Sequence, residues 1–391
     1  MTHRDEAHEP GRAADAAAFT ALGTDRDADW MGVLAQSVQH DFHHLAGYHR
    51  LAEHRGEGTA VLFTYREHGY LVALPLLLRP VDEDDPAGLQ DATSVYGYAG
   101  PIASHERIPE QVVRSFQEAL RDELVSRRVI AVFSRLHPLI PQQSLLDGLG
   151  ETRAVGPTVS IDLGLSPEEQ WAGYSKNCRR IIRRAQEAGV VCVHDRERTY
   201  RREWVEIYHE TMRRVGAPAS YLYDEEYFER LATELGPVLH LFVALVDGKA
   251  AAAGVYTICD GIVQAHLGGL RQEYARLSPV RFLDDTARRW AVEAGAWVFH
   301  LGGGVGGQED SLFQYKAGFS DRRHQFETWR WVVDPPGYRE LCERWERLEG
   351  HHPGPGEEDY FPAYRRPAQP RGFLADGAVS QAGDAGEGHR P

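Results

Sequence analysis

The sequence predicts an α/β (α+β) protein made of two similar halves in tandem, each a mixed sheet flanked by helices, with a cleft between them. Three observations carry this. Runs rich in β-branched and aromatic residues alternate with amphipathic runs along the whole chain. The order helix, strand hairpin, strand, helix, strand occurs twice, with no residue-level repeat. At 391 residues the chain is also longer than an ordinary single domain.

In the first half, residues 30–51 have helical periodicity. Residues 59–65 and 70–78 form a strand pair around Glu67-His68-Gly69. Residues 94–98 read as a short aromatic strand, 109–127 as an amphipathic helix, and 129–134 and 157–163 as strands. The second half opens with a helix signal: Ser166 as N-cap, Pro167 at the first helical position and Glu169 three residues after the cap. A helix over 177–188, a strand over 190–194, and helices over 204–215 and 225–235 follow. Strands over 239–246 and 249–259 flank Asp247-Gly248, a hairpin signal. Residues 262–267 form a strand, Ser278-Pro279 opens a helix reaching residue 294, and strands are expected over 297–301 and 325–333. The expected organisation is a disordered arm over 1–17, an N-terminal unit over 18–165, a C-terminal unit over 166–350 and a disordered tail over 351–391.

Composition excludes several classes. The chain is 42% hydrophobic and 26% charged, with no apolar run long enough to span a bilayer and no signal-peptide core at its start, which predicts a cytoplasmic protein. The four cysteines are scattered without a CxxC pair, so neither a disulfide scaffold nor a zinc site is expected. A net charge of −15 argues against non-specific binding to nucleic acid. Yet residues 176–214 hold eleven Lys/Arg against six Asp/Glu, a local basic face that suits a polyanion held at one place. A solvated helix face is the plainer reading.

The most informative stretch is HLGGGVGGQEDSLFQYKAGF, residues 300–319. An apolar strand ends in a glycine-rich loop, and a short amphipathic helix follows. That helix carries Lys316, one of only three lysines (with Lys176 and Lys249) among 43 basic side chains. Where arginine is the default cation, a lysine marks a place that wants a compact ammonium. Gly302, Gly304 and Gly307 satisfy G-x-G-x-x-G after a strand, but the helix beyond is too short for a dinucleotide site. His40, His43 and His44 invite a metal reading, yet no HExxH pattern and no third ligand accompany them, so no metal is expected.

The second-half element order resembles that of acyltransferases of the N-acetyltransferase (GNAT) type. Such enzymes bind the acyl-CoA pyrophosphate on a Gly-rich turn opening the central helix. Here that turn is RQEYARLSP, residues 271–279, with no glycine and a proline lacking an N–H. A different acyl donor is expected. YSKNCRRIIRRAQEAGV (174–190) with HLGGGVGGQEDSLFQYKAGF, plus YGYAGP (96–101), resembles the Fem (FemAB-like) family of peptidyltransferases, over most of residues 40–345. The resemblance implies two tandem GNAT-like domains, aminoacyl-tRNA as donor and an amine acceptor, either a peptidoglycan precursor or a small metabolite of an antibiotic pathway. The long coiled-coil insertion of the staphylococcal members has no counterpart here.

Aminolysis of an ester that is already activated needs proximity, a donor for the developing oxyanion and a sink for the amine proton, but no cofactor. Lys316 resembles the family's lysine in an aromatic–Lys–x–Gly motif, with Tyr315 before it. It is expected to meet the oxyanion or a phosphate of the donor; the alternative is a cation completing a helix C-terminus. Asp310 could take the amine proton, or simply cap the helix. Gly303 and Gly304 suit close backbone approach to substrate. Lys176, Asn177, Arg179, Arg180 and Arg183 resemble the family's cationic segment. Tyr96 and Tyr98 line a groove or belong to the core. The expected function is aminoacyl-tRNA-dependent amide formation. The alternatives are a GNAT-like enzyme using acyl-CoA or another thioester, and a non-catalytic ligand-binding module.

Overall fold

A computed structural model describes residues 17–82, 87–349 and 360–366. The predicted arm over 1–17, residue 17 excepted, and most of the tail lie outside the described residues. The first half runs β1 (Ala18–Leu22), α1 (Asp27–Leu34), α2 (Ala46–His54), β2 (Thr59–Glu67), β3 (Tyr70–Pro80), β4 (Gln90–Thr93), β5 (Ile102–Ala103), α3 (Glu110–Ser126), β6 (Val129–Arg135) and β7 (Glu151–Asp162). The second half runs α4 (Pro167–Gly173), α5 (Lys176–Glu187), β8 (Val191–Asp195), α6 (Arg201–Arg214), α7 (Glu225–Leu235), β9 (Leu239–Val246), β10 (Lys249–Cys259), β11 (Ile262–Leu270), α8 (Pro279–Glu293), β12 (Val298–Gly303), α9 (Ser311–Ala317), β13 (Arg323–Val332) and α10 (Pro335–Glu349).

All the strands join one sheet, ordered β1-β2-β3-β4-β6-β13-β7-β12-β11-β10-β9-β8, with β5 on β3. The order reads the same from both ends. Each half contributes four antiparallel strands and a helical crossover, α3 or α8, to a parallel fifth strand, β6 or β12. The last strand of each half then leaves home. β7 pairs with β12, and β13 inserts between β6 and β7. The halves are therefore interlocked by exchanged strands.

Hydrophobic alternation places three large cores, beside a small one at Ile130, Leu341 and Tyr364. One lies between the halves, where Trp30, Phe42 and Tyr48 meet Trp204, Tyr208 and Phe228. A second lies under α5, α8 and α9, with Cys178, Ile182, Leu283 and Phe299. A third lies under α3, with Phe116, Leu120 and Trp329.

Three sequence expectations change. Residues 30–51 are two helices rather than one, broken at 35–41 where Asp41 turns inward and caps a short 3₁₀ turn, Phe42–His44. The strand expected at 94–98 is β4 displaced to Gln90–Thr93. Residues 94–98 form a loop instead, because Gly97 adopts φ 105° and its missing Cβ makes room for the His43 ring. Residues 360–366, placed in a disordered tail, fold back as a short turn: Tyr338 stacks on Phe361, and the Arg365 guanidinium binds Asp91 and the Pro80 carbonyl. Among the described residues, no helix is long and apolar enough to cross a membrane.

Candidate active site

β11 and β12 pair only over Ile262–Val298, Val263–Phe299 and Gln264–His300, although β11 continues to Leu270 and β12 to Gly303. Beyond Gln264 the two strands diverge, and the parting strands leave a small cavity of about 40 Å³ between the halves. Phe42, His43 and Tyr98 border it from the first half, and Gln264, His266 and Lys316 from the second.

Lys316 is the cation of this cavity. The Asp310 cap starts α9 so that Lys316, in its last turn, points under the glycine-rich loop with no side-chain exposure. Its Nζ donates to the Gly303 carbonyl at 2.6 Å. Burial brings its pKa down from 10.5 to about 8, against the opposing pull of Asp284 and Asp310. Gly302, at φ 78°, brings its backbone close to this ammonium: a Cβ there would lie 3.2 Å from Nζ and 3.6 Å from the Tyr98 hydroxyl. Tyr98 also hydrogen-bonds the Gly303 backbone, and burial pushes its phenol up to about 12. The Gly303 backbone is thus held by two side chains, Lys316 and Tyr98.

Beside them lies a buried hub that sequence reasoning missed. Asp41 Oδ2 accepts from His43 Nδ1 (3.2 Å), His137 Nε2 (3.0 Å) and Gln264 Nε2 (2.7 Å), while Oδ1 accepts from the Phe42 N–H (2.7 Å). Burial opposes ionisation of Asp41, but the hydrogen bonds from His137 and His43 outweigh it and hold the carboxyl well below the usual range. Gln264 Oε1 in turn accepts from His300 Nδ1 at 2.6 Å. With Nδ1–H committed to Asp41, the His43 Nε2 carries a lone pair. Burial lowers the His43 pKa, although Asp41 opposes this, so the ring is neutral near pH 7. Asp41, His43 and His137 bring ligand atoms within 4.8 Å of one another and so could hold a metal ion, but the hydrogen bonds to Oδ2 satisfy this arrangement without one.

The other predicted residues are placed differently. Tyr315 turns away from the cavity: its hydroxyl donates to Asp284 Oδ2 (2.7 Å), and Arg281 lies over its ring at 4.2 Å. It is a core residue and does not face the cavity that Lys316 faces. Asp310 is not placed to accept a substrate proton, because Oδ1 accepts from Phe313 N–H (2.9 Å) and Oδ2 from Val305 N–H (3.0 Å). Gly304 begins the turn that Asp310 clamps. Tyr96 borders the cavity and packs edge-on against Tyr221 at 6.1 Å.

The basic segment lies outside the cavity. Lys176, Asn177, Arg180 and Arg183 are exposed on α5, and Arg180 donates to Asn177 at 2.7 Å. Arg183 sits over Trp171 at 5.6 Å. Arg179 caps the C-terminus of α4 by donating to the Ala172 (2.7 Å) and Tyr174 (2.5 Å) carbonyls. α5 nevertheless starts where α9 ends, since the Ser175 N–H donates to the Gly318 carbonyl at 2.8 Å.

The Asp41 hub left one trace in the sequence, the Asp41-x-His43-His44 spacing; His137, Gln264 and His300 are joined to it only by the sheet. His40, by contrast, faces Asp260 at 3.4 Å rather than the hub.

The chain folds as two interlocked α/β units with a GNAT-like strand order. Residues 172–317 match the Acetyltransferase (GNAT) domain family. The chain has a fold similar to that of FemX, at TM-score 0.65 and 11% identity over 83% of this chain and 99% of that one. It is also similar to L-PGS from Bacillus licheniformis, at TM-score 0.51 and 14% identity over 82% and 97% of the two chains. A third relative is a C-terminal domain assigned to a lysylphosphatidylglycerol synthetase of Agrobacterium fabrum, at TM-score 0.51 and 11% identity over 78% and 91%. No curated protein matches the chain by sequence.

Proposed function

We propose that the protein is an acyltransferase that moves an aminoacyl group from tRNA to the amine of an acceptor molecule. The observation that carries this reading is Lys316, a buried ammonium beside diverging strands, bordering the same cavity as a histidine whose Nε2 is basic. The acceptor amine attacks the ester carbonyl and the C–N bond forms. Lys316 meets the charge that develops on the carbonyl oxygen. His43 Nε2 takes the proton from the amine and returns it to the ribose oxygen as the C–O bond breaks. Asp41 holds the His43 tautomer and stabilises the imidazolium. Ester and amine become amide and alcohol, with no other reactant.

A tRNA-linked donor is favoured over CoA by the start of α8. There the turn is a 3₁₀ segment, Gln272–Leu277, followed by Ser278 at φ 47° and Pro279 at the first helical position. Glu210 accepts from the Gln272 N–H at 2.7 Å, and Glu206 pairs with Arg271 at 2.7 Å. Carboxylates and a proline stand where a pyrophosphate would need N–H donors. The exposed arginines of α5, next to the end of α9, offer a counterweight for RNA phosphates. The GNAT family match keeps an acyl-CoA donor as the second reading. A peptidoglycan precursor and a small metabolite both fit the acceptor role.

The test combines charged tRNA or acetyl-CoA with a panel of amines and follows loss of each acyl group. Transfer from tRNA, abolished by RNase, is expected. Acetyl-CoA at about a hundredfold over a micromolar dissociation constant is expected to leave the melting temperature unchanged, where a true ligand would add about 2.7 kcal/mol. A saturable shift shared by free CoA, with transfer that survives RNase, would establish the thioester reading instead.

The pH profile of transfer should be bell-shaped. Lys316 must be protonated, so the rate falls as pH rises through about 8. His43 must be neutral, so the rate also falls on the acid side, below the ordinary histidine value of 6.5. A Lys316→Arg protein that remains active should lose the alkaline limb. Retention of that limb would assign it to another group.

A further inference from the structure

Lys316 is carried by a helix too short to hold its own shape. α9 has seven residues, and a free helix below about 12–15 residues is marginal in water. Its last turn is gripped from outside by α8. Arg281 and Asp284 lie one turn apart on α8 and hold the same residue, Tyr315. Arg281 Nη1 donates to the Tyr315 carbonyl at 3.2 Å, and its guanidinium lies over the Tyr315 ring at 4.2 Å. Asp284 Oδ2 accepts from the Tyr315 hydroxyl at 2.7 Å. The backbone and the tip of Tyr315 are therefore both fixed, and Lys316 is the next residue. Asp284 is in turn pinned from the sheet, where its Oδ1 accepts from the Tyr256 hydroxyl of β10 at 2.6 Å. Burial, reinforced by the Asp284 charge, raises both phenols well above their ordinary value, so both remain donors.

A neutral acceptor could hold Tyr315 as well; a fully buried carboxylate has a further effect. Lys316 Nζ bonds the Gly303 carbonyl, and among the described residues no carboxylate reaches it. Of the charges that favour its protonated form, Asp284 is the strongest, ahead of Asp310. The other groups facing this end of α9 carry no charge near pH 8. Burial keeps the His300, His43 and His266 rings neutral and the Tyr98 phenol protonated. Asp41 lies in the hub, bound by His43, His137 and Gln264, and Arg281 is a second cation that opposes the first. A carboxylate in direct contact with Lys316 would favour its charge but occupy its N–H donors. One set behind the helix favours the charge and leaves the donors for substrate.

We propose that Asp284 is the positioning residue of this site: through Tyr315 it fixes the last turn of α9, and as a carboxylate behind that turn it keeps the Lys316 ammonium charged without occupying it. Tyr315 thus serves Lys316 from the core side. The consequence for transfer rests on the reading of Lys316 given above; the coupling of Asp284 to Lys316 does not.

The composition of the chain makes this measurable. It has three lysines, of which Lys176 and Lys249 are exposed, so NMR of protein carrying ¹³C at lysine Cε resolves Lys316. Its signal is the one missing from Lys316→Met. In the wild type it should titrate at about 8. Asp284→Asn keeps the shape and removes the charge. It should bring that titration down by about one pH unit, and the alkaline limb of transfer should move down with it. Tyr315→Phe keeps the charge and removes the grip. It should leave the titration in place and lower kcat about tenfold with KM little changed. Near-UV circular dichroism checks the fold of each variant. An unmoved Lys316 titration in folded Asp284→Asn, or wild-type kcat in folded Tyr315→Phe, overturns the proposal. Should Asp284→Asn not fold, Tyr315→Phe decides alone. Absence of transfer by the wild type, with the titration shifted as expected in Asp284→Asn, would overturn only the transferase reading.

Discussion

Replacing Lys316 with Met abolishes transfer and yields a protein that melts higher than the wild type. Loss of an oxyanion donor costs about 2.7–4 kcal/mol of transition-state stabilisation, a rate loss on the order of a hundredfold to a thousandfold. The stability gain comes from the same burial. In the unfolded chain Lys316 titrates near 10.5; in the folded protein it titrates near 8. The unfolded state therefore binds its proton more tightly, and at pH 7 the charged, buried lysine opposes folding by about 3 kcal/mol. That penalty fades as pH rises from 8 to 10.5. Methionine removes the charge and keeps an apolar stem, but it leaves the Gly303 carbonyl without the donor it has at 2.6 Å, a loss of about 1 kcal/mol. A net gain of about 1–2 kcal/mol is expected by denaturant titration. A residue that weakens its own fold is retained for what it does. An inactive variant that melts lower than wild type would make Lys316 a structural residue, and an active folded one would remove it from the mechanism.

Acid unfolds the protein earlier than its carboxylates alone would predict. His43, His44, His49, His266 and His300 are all buried, and desolvation lowers the pKa of each, to about 4 for His49 and about 3 for His266. Their unfolded-state value is near 6.5. As pH falls below 6.5 the unfolded chain takes up protons that the folded protein refuses, so stability declines from that point. At pH 5, His49 and His266 each remove about 2 kcal/mol, a large fraction of an ordinary domain's stability. Asp41 works in the same direction at lower pH, because its folded value lies below the unfolded one and its contribution is lost as it protonates. Urea midpoints measured between pH 8 and pH 5 should fall steadily below 6.5, and a His266→Phe variant should flatten the slope. A flat profile down to pH 5 would show that these rings titrate normally.

Much of the architecture was legible in the sequence because local signals and tertiary burial agree. The capping box at Ser166 and Glu169, the hairpin at Asp247-Gly248 and the helix over Glu225–Leu235 form as their spacing predicts. Lys316 stood out by rarity and motif, and its burial gives that signal a physical basis. Asp310 and Tyr315 share the motif, but their polar atoms serve a cap and a core hydrogen bond, a distinction that spacing does not encode. Asp41, His137 and Gln264 meet across separations of 96 to 223 residues, and only the tertiary fold brings them together. Arg135, Arg153 and Arg330 share a face through pairing of β6 and β7 to β13, and β13 belongs to the other half of the chain.

That exchange also governs how the chain is made. β6 and β7 emerge early from the ribosome, yet each lacks its shared neighbour until β13, ending at Val332, has been synthesised. At about 5–20 residues per second, the interval is roughly ten to thirty seconds. During that time the nascent chain carries two strand edges with open hydrogen-bonding groups, a template for pairing with a second nascent chain. The strand exchange that locks the finished halves together is thus also a point where two growing chains can become entangled.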